Sequence, residues 1–116
     1  MSIKISFLDL NIIKREREME TTITLLQQRE MLINQIAKLK AEGKEIEVQN
    51  DEYDLQRIDE GKPTGLKYRD SDGNVYEIFS WSYTSRTGGK KWQHAHIYKN
   101  QWGVMIHNVY KRECFK

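Results

Sequence analysis

The sequence contains only one cysteine, Cys114, so no disulfide can form within the chain. This favours a reducing compartment, because disulfides form and persist in oxidising ones. No apolar run approaches the roughly 20 residues that a membrane-spanning helix needs. The N-terminus places its apolar residues before its charges and lacks a small-residue cleavage site, so a signal peptide is not predicted. We therefore expect a cytoplasmic protein without a membrane-spanning segment.

The sequence also lacks a recognisable catalytic signature, since it shows no ordered triad and no paired carboxylates. His94 and His96 would share one face of a strand, and His107 could join them as a zinc ligand, but the spacing matches no known zinc module. His94 and His96, with Arg86 and Tyr98, could also supply the acid–base and phosphate-binding groups of a small ribonuclease. Because nothing else supports either chemistry, we predict no metal, no cofactor and no enzymatic activity.

Charge is divided unevenly along the 116 residues. Residues 1–61 hold nine Lys and Arg against thirteen Asp and Glu, a net charge of −4, whereas residues 62–116 hold ten against four, a net charge of +6. Only 38% of the residues are hydrophobic, which fits a helical arm joined to a small β domain better than one large core. We predict an acidic helical oligomerisation region over 1–61 and a basic, aromatic-rich β domain over 62–116 that could meet a polyanion.

A long helix is predicted over residues 9–42, which contain neither proline nor glycine and are rich in good helix formers. Ser6 or Asp9 could cap its start, and Gly43 stands where a C-terminal cap belongs. Apolar residues recur every seven positions along two neighbouring lines of this helix. One line is Ile12, Met19, Leu26 and Ile33, and the other is Leu25, Leu32 and Leu39. The pattern predicts an amphipathic, coiled-coil-like helix.

An isolated helix of this length could not bury so broad an apolar face. The heptad spacing favours self-association through residues 9–42. Arg15, Thr22 and Arg29 fall near the seam and weaken this interpretation, and the alternative is that the helix packs on the sheet of its own chain. We expect a homo-oligomer.

Residues 44–60 leave two interpretations open. Ile46 and Val48 alternate and could form a short strand, whereas Asn50 or Asp51 could cap a short helix over the rest of the segment. Turn-forming residues then mark a linker, at Gly61, Pro63 and Gly65. The charge changes sign here, so we place the domain boundary at this linker.

The basic half has the pattern of an antiparallel sheet. Asp72-Gly73 is a strong hairpin signal, Gly88-Gly89 marks a second turn, and the stretch KNQWG marks a third. The predicted strands cover residues 66–69, 75–84, 92–98 and 104–110. We therefore predict an α+β fold in which the long helix is followed by a small meander of three to four strands.

Rings and positive charges are interspersed in this β half. Because side chains alternate along a strand, at least one face should carry rings among polar groups. The rings that could stack on bases are Trp81, Tyr83, Trp92 and Tyr98. The cations and glycines that could contact a phosphate backbone or minor groove are Lys67, Arg69, Arg86, Gly88, Gly89, Lys90 and Lys91. The alternative is that the rings form a small core and the lysines only solvate a turn.

Three stretches resemble the H-NS and MvaT nucleoid proteins, which silence AT-rich foreign DNA. KYRDSDGN is similar to the opening of their DNA-binding domain, while TGGKKW and KNQWG are similar to the Gly-Gly turn and Trp-Gly of the MvaT branch. An acidic oligomerising helix, a linker and a small basic domain follow one another in those proteins too. The resemblance implies insertion into an AT-rich minor groove by Arg86, Gly88, Gly89 and Lys90.

Together these features predict a small, non-enzymatic, oligomeric protein that binds DNA mainly through the phosphate backbone and minor groove. The alternative is an interaction or decoy protein, of the kind that phages and mobile elements encode against host defences. Such a protein would bind a host protein or sequester a small nucleotide on its ring-lined face. Salt-sensitive DNA binding that requires Lys90 and Lys91 would distinguish the two functions.

Overall fold

A computed structural model describes residues 21–116. It begins with a two-residue strand, β1 (Thr22–Ile23), followed by helix α1 (Leu25–Ala41). Thr24 caps the helix, because its hydroxyl accepts a hydrogen bond from the Gln27 amide at 3.1 Å while Gln27 Oε1 accepts one from the Thr24 amide at 2.9 Å. The capping box therefore sets the point where extended backbone becomes helical.

The prediction of one long helix over residues 9–42 is wrong. Residues 1–20, which include both proposed N-terminal caps, lie outside the described residues, and the described part of the predicted range is a strand and a helix of 17 residues. The physical reason is local: the β-branched residues at 22–24 favour extended backbone, and the Thr24 cap starts the helix after them. At the other end Gly43 adopts φ +75°, and the Lys44 amide donates to the Leu39 carbonyl at 3.0 Å, so the expected C-terminal glycine cap is present.

The segment with two open interpretations is a second helix, α2 (Glu45–Glu60). Glu45 and Glu47 lie in its first turn, where carboxylates interact favourably with the helix dipole. Val48 and Ile58 are buried at helical spacing on the same side, which the proposed strand could not achieve. The two helices form an antiparallel hairpin through the Gly43 turn.

Four further strands complete the sheet: β2 (Lys62–Arg69), β3 (Val75–Thr84), β4 (Lys90–Asn100) and β5 (Gly103–Val109). Consecutive members of this group pair antiparallel, whereas β1 pairs parallel to β3. The described fold is therefore two short helices and a mixed five-stranded sheet, and the prediction of one coiled-coil-like helix followed by a small meander is wrong. The predicted linker at Gly61, Pro63 and Gly65 is largely strand β2.

Both helices pack on one face of the sheet. The shared core contains Leu32, Ile36, Val48, Ile58, Phe79, Ala95, Ile97 and Val104. The line of Leu25, Leu32 and Leu39 thus packs on the chain's own sheet, whereas Leu26 on the other line is 70% exposed. Residues on both sides of the proposed boundary at 61/62 contribute to this core, and the division into two domains stays a prediction.

A buried glutamine on α1 holds the sheet together where two strands separate. β3 and β4 pair only from Phe79 and Ala95 outward. Beyond that point the Gln28 carboxamide, which is fully buried, lies between them. Its Nε2 donates to the Glu77 carbonyl of β3 at 2.9 Å and to the Ile23 carbonyl of β1 at 3.0 Å, and its Oε1 accepts from the Ile97 amide of β4 at 2.9 Å. The side chain thus replaces the missing peptide partner of three strands.

A second glutamine, seven residues further along α1, makes a similar contact. Gln35 Nε2 donates to the Val104 carbonyl of β5 at 2.9 Å and to the Asp51 carboxylate of α2 at 2.5 Å, and its Oε1 accepts from the Val104 amide at 2.6 Å. Burial raises the pKa of the Asp51 carboxyl, an effect that the hydrogen bond from Gln35 partly offsets. Gln35 therefore connects both helices to the edge of the sheet.

Replacing Gln28 with methionine tests the bridging role. The side chain keeps its approximate volume but leaves the Ile97 amide and the Glu77 and Ile23 carbonyls without their partner. We expect a loss of about 2–4 kcal/mol in the free energy of unfolding, measured by urea denaturation with an unchanged m-value. Gln49→Met, at an exposed position of α2, is the matched control and should change stability by less than about 0.5 kcal/mol. Equal effects of the two substitutions would contradict the bridging role.

Candidate nucleic-acid interface

The hairpin of β3 and β4 extends beyond the rest of the sheet. β2 pairs with β3 only as far as Ser80, and β5 pairs with β4 only from His94. Four cross-strand pairs, from Trp81 with Gln93 to Thr84 with Lys90, continue past those points, and no other described strand pairs with them. We call residues 81–93 the hairpin arm.

The tip of the hairpin arm is a tight hydrogen-bonded turn. The Ser85 amide donates to the Gly89 carbonyl at 2.8 Å, and the Gly88 amide donates to the Ser85 carbonyl at 2.9 Å. Gly88 has φ +89°, a conformation that other residues adopt only with strain. Glycine at position 88 therefore allows the tight turn that fixes the backbone at the tip, where Arg86 lies.

The hairpin arm is basic and carries exposed rings on both faces. It contains Arg86, Lys90 and Lys91 and has no Asp or Glu. Tyr83 is 44% exposed and Trp92 is 46% exposed. Because the two rings lie at alternating register positions, each face of the hairpin arm presents one of them. Cations and rings are thus combined as in surfaces that bind phosphates and stack on bases.

Two neighbouring cations lie against rings of the hairpin arm. Lys62 Nζ lies 5.1 Å from the centroid of the Trp92 ring, and Arg57 Cζ lies 4.8 Å from that of Trp81. Trp81 is half-buried, packs against the core, and has a buried Nε1 with no hydrogen-bond partner. Trp81 therefore anchors the base of the hairpin arm, and the alternative role of the rings as core residues applies to it in part.

The structure places two of the predicted cations elsewhere. Lys67 and Arg69 lie on β2, where Lys67 pairs with Glu77 of β3. The Lys67 backbone also pairs with Phe115, with N–O distances of 2.6 and 2.8 Å, and Arg69 Cζ lies 5.2 Å from the Phe115 ring centroid. The predicted site residues are therefore divided between the hairpin arm, this C-terminal contact and, for Tyr98, a cluster of rings.

That ring cluster lies on the sheet face opposite the helices and comprises Tyr68, Tyr76, His96, Tyr98 and His107. His96 is almost fully buried and stacks on Tyr76 at 4.1 Å and on Tyr68 at 5.4 Å between centroids. Its Nε2 lies 3.0 Å from His107 Nδ1, so one ring donates a proton and the other accepts it. This contact occupies Nε2 of His96, whereas Arg86 of the proposed ribonuclease set lies at the tip of the hairpin arm.

Burial sets the protonation of the ring cluster. It lowers the pKa of His96 to about 4, and the neighbouring His107 contributes to the same shift. It also raises the pKa of Tyr76 to about 12, assisted by the Asp70 carboxylate, which accepts a hydrogen bond from the Tyr76 hydroxyl at 3.1 Å. At neutral pH the buried centre of the cluster is therefore uncharged.

The histidines and the cysteine do not converge on a metal site in the structure. Within residues 21–116 no group of three or more His, Cys, Asp or Glu side chains could hold a metal ion. Cys114 instead lies with its Sγ 3.5 Å from the Tyr110 carbonyl, and burial raises the pKa of its thiol.

Comparison with family models, with curated proteins and with solved structures found no match to this chain. The resemblance to the H-NS and MvaT proteins therefore stays a prediction. No helix in the described part of the chain is both long and apolar enough to cross a membrane.

The buried His96 should make the protein sensitive to acid. Its folded-state pKa of about 4 lies below the ordinary histidine value of 6.5, so the unfolded state binds the proton first as the pH falls. The stability that depends on the neutral ring is complete above pH 6.5 and is lost between pH 6.5 and 4. The loss is up to about 3 kcal/mol, measured from urea midpoints across that range.

His96→Phe retains a ring that does not titrate, so its stability should vary less with pH than that of the unmodified chain. His94→Gln, which alters a half-buried histidine outside the ring contacts, serves as the control and should keep the original profile. A profile unchanged by His96→Phe would show that another group causes the acid sensitivity.

Proposed function

We propose that the chain is a small, non-enzymatic DNA-binding protein whose hairpin arm contacts the duplex. The observation that carries this proposal is the combination of a two-stranded projection to which no other described strand pairs, three cations without a carboxylate, and two exposed rings. Positive charge of this kind neutralises phosphates and releases counterions, which supplies most of the sequence-independent affinity for DNA.

The dimensions of the hairpin arm determine how it would meet the duplex. Four residue pairs at about 3.3 Å per residue extend roughly 13 Å before the turn. A minor groove about 6 Å wide is too narrow for two paired strands, but the turn at Arg86 and Gly88-Gly89 can enter it because glycines allow close approach. Lys90 and Lys91, further back, would then contact the flanking phosphates. The resemblance to nucleoid proteins favours the same placement.

Two apolar positions on α1, Leu26 and Ile33, support self-association within the predicted range 9–42. Leu26 is 70% exposed and Ile33 is half-buried, so these two positions extend along the outer side of α1. Ile12 and Met19 of the same line lie outside the described residues. A second copy would cover these apolar groups and present two hairpin arms to one duplex, which raises the effective concentration of the second arm once the first is bound.

We also propose that the protein acts in the cytoplasm, where its DNA target and a reduced Cys114 would both be found. Cys114 is free in the structure.

One observation favours the alternative function of an interaction or decoy protein. Trp102, at the turn between β4 and β5, is 77% exposed. Exposed tryptophans often provide a large part of the binding energy at protein interfaces. A host-protein partner that needs Trp102 but not Lys90 or Lys91 would support this alternative over DNA binding.

Replacing Lys90 and Lys91 together with alanine tests the DNA-binding proposal. Each lysine should neutralise about one phosphate, so the plot of log affinity against log salt should become less steep by about 2. The measurement is fluorescence anisotropy with labelled AT-rich duplex, GC-rich duplex and single-stranded DNA at several salt concentrations. Lys38→Ala with Lys40→Ala removes the same charge from α1 and should leave the slope nearly unchanged. Absence of binding at low salt, or equal effects of both pairs, would contradict the proposal.

Replacing Leu26 and Ile33 together with glutamine tests self-association. The substitutions retain side-chain length and helix propensity but remove the apolar line, so sedimentation should shift towards the monomer. Ile46→Gln is the control, because Ile46 is 71% exposed on α2 and lies outside this line. An original chain that is monomeric at high concentration would contradict association through this helix.

A further inference from the structure

The ring cluster borders a cavity that the proposed DNA contact does not use. The cavity has a volume of about 370 Å³ and lies between the β2–β3 turn and the end of β4. Its lining includes Tyr68, Asp70, Asp72, Tyr98, Lys99 and His107. We call it the ring cavity. Its size suits a small molecule or one side chain of a partner.

Aromatic rings surround the ring cavity on several sides. Tyr68, His96 and Tyr76 form a stack, and Tyr98 meets the edge of His96 at 5.8 Å between centroids. The His107 ring centroid lies 5.5 Å from that of Tyr98 and 5.7 Å from that of Tyr68, so His107 contacts both tyrosines. Tyr68, Tyr98 and His107 remain half-buried, and their remaining surface borders the cavity. The negative π faces of such rings attract cations.

The charges at the mouth favour the same kind of ligand. Asp70 and Asp72 contribute two carboxylates, against one cation from Lys99. Burial alone would raise the pKa of the Asp70 carboxyl, but hydrogen bonds from Asn74, from Tyr76 and from the Asp72 amide lower it on balance, so Asp70 is ionised at neutral pH. A phosphate would be repelled by this pair, whereas a cation would be attracted.

We propose that the ring cavity binds an organic cation of the ammonium or guanidinium class. The half-buried rings supply an electron-rich wall, and the two carboxylates at the mouth balance the ligand's charge. This site is separate from the hairpin arm, because its rings lie where β3 and β4 have parted and the hairpin arm lies where they pair. It would serve a free cation or a lysine or arginine side chain equally well.

The test compares choline with its uncharged isostere 3,3-dimethylbutan-1-ol, added to the full-length chain at constant ionic strength. The ring resonances of Tyr98 and His107 report binding by NMR. Choline should bind roughly ten times more tightly than the neutral isostere, because the two differ in charge and hardly in shape. Equal affinity, or no binding of choline, would overturn the proposal.

Two substitutions separate a cage role of Tyr98 from a folding role. Tyr98→Leu should abolish choline binding, whereas Tyr98→Phe, which keeps the ring, should preserve it. Tyr83→Leu changes a ring of the hairpin arm and should leave choline affinity unaltered. Unfolding midpoints are measured alongside, and a Tyr98→Phe variant that folds but no longer binds would contradict a π contact.

Substitutions of the charged residues at the mouth of the ring cavity test whether the ligand is a cation. Asp72→Asn should weaken choline binding and Lys99→Gln should strengthen it, each by about two- to threefold for exposed charges. If Asp72→Asn strengthened choline binding and Lys99→Gln weakened it, the site would favour an anion and the proposal would be wrong. Tight binding of adenosine without binding of choline would show that the site takes a flat base instead. Lys90→Ala with Lys91→Ala should bind choline normally, so loss of DNA binding and loss of cation binding are distinguishable outcomes.

Discussion

The described structure depends on the carboxamide of Gln28. Three strands bring backbone groups to one point without reaching one another, and this single side chain supplies the missing donor and acceptors. An unsatisfied buried amide or carbonyl costs about 1–3 kcal/mol, so the sheet could not separate at this point without such a partner. Gln35 makes a similar side-chain contact at the edge strand, where it hydrogen-bonds both the amide and the carbonyl of Val104. Helix α1 thus contributes to the hydrogen bonding of the sheet as well as to its core.

The separation of β3 from β4 creates two different environments along one hairpin. Where the strands pair, beyond Phe79 and Ala95, they project as the hairpin arm. Where they part, the face opposite the helices carries the ring cavity. The helices cover the other face through the shared core, and α2 reaches the base of the hairpin arm, where Arg57 lies over the Trp81 ring. One structural constraint therefore positions both candidate sites.

Sequence reasoning located the strands and turns of the basic half because their signals are local: Asp72-Gly73 and Gly88-Gly89 mark turns that the structure contains. It missed β1, since two residues that pair parallel with distant β3 leave no periodic pattern. The Thr24–Gln27 capping box is visible in the sequence, but the many good helix formers on both sides of it favoured the prediction of one longer helix. Gln28 could not be anticipated, because a glutamine on an apolar helical face looks unfavourable until the tertiary structure supplies its partners. The hairpin arm was predictable as a charged turn, but its projection depends on where neighbouring strands end.

The hairpin arm and the ring cavity differ in the sign of the charged residues around them. The hairpin arm holds three cations and no carboxylate, whereas the mouth of the ring cavity holds Asp70 and Asp72 against Lys99. If the hairpin arm binds DNA as proposed, these charges would orient the molecule on the duplex with the ring cavity away from the phosphates. Because burial lowers the pKa of His96 to about 4, this ring adds no positive charge to the ring cavity at physiological pH. The two proposed ligands, DNA and an organic cation, would therefore bind at separate places on the chain and would not compete.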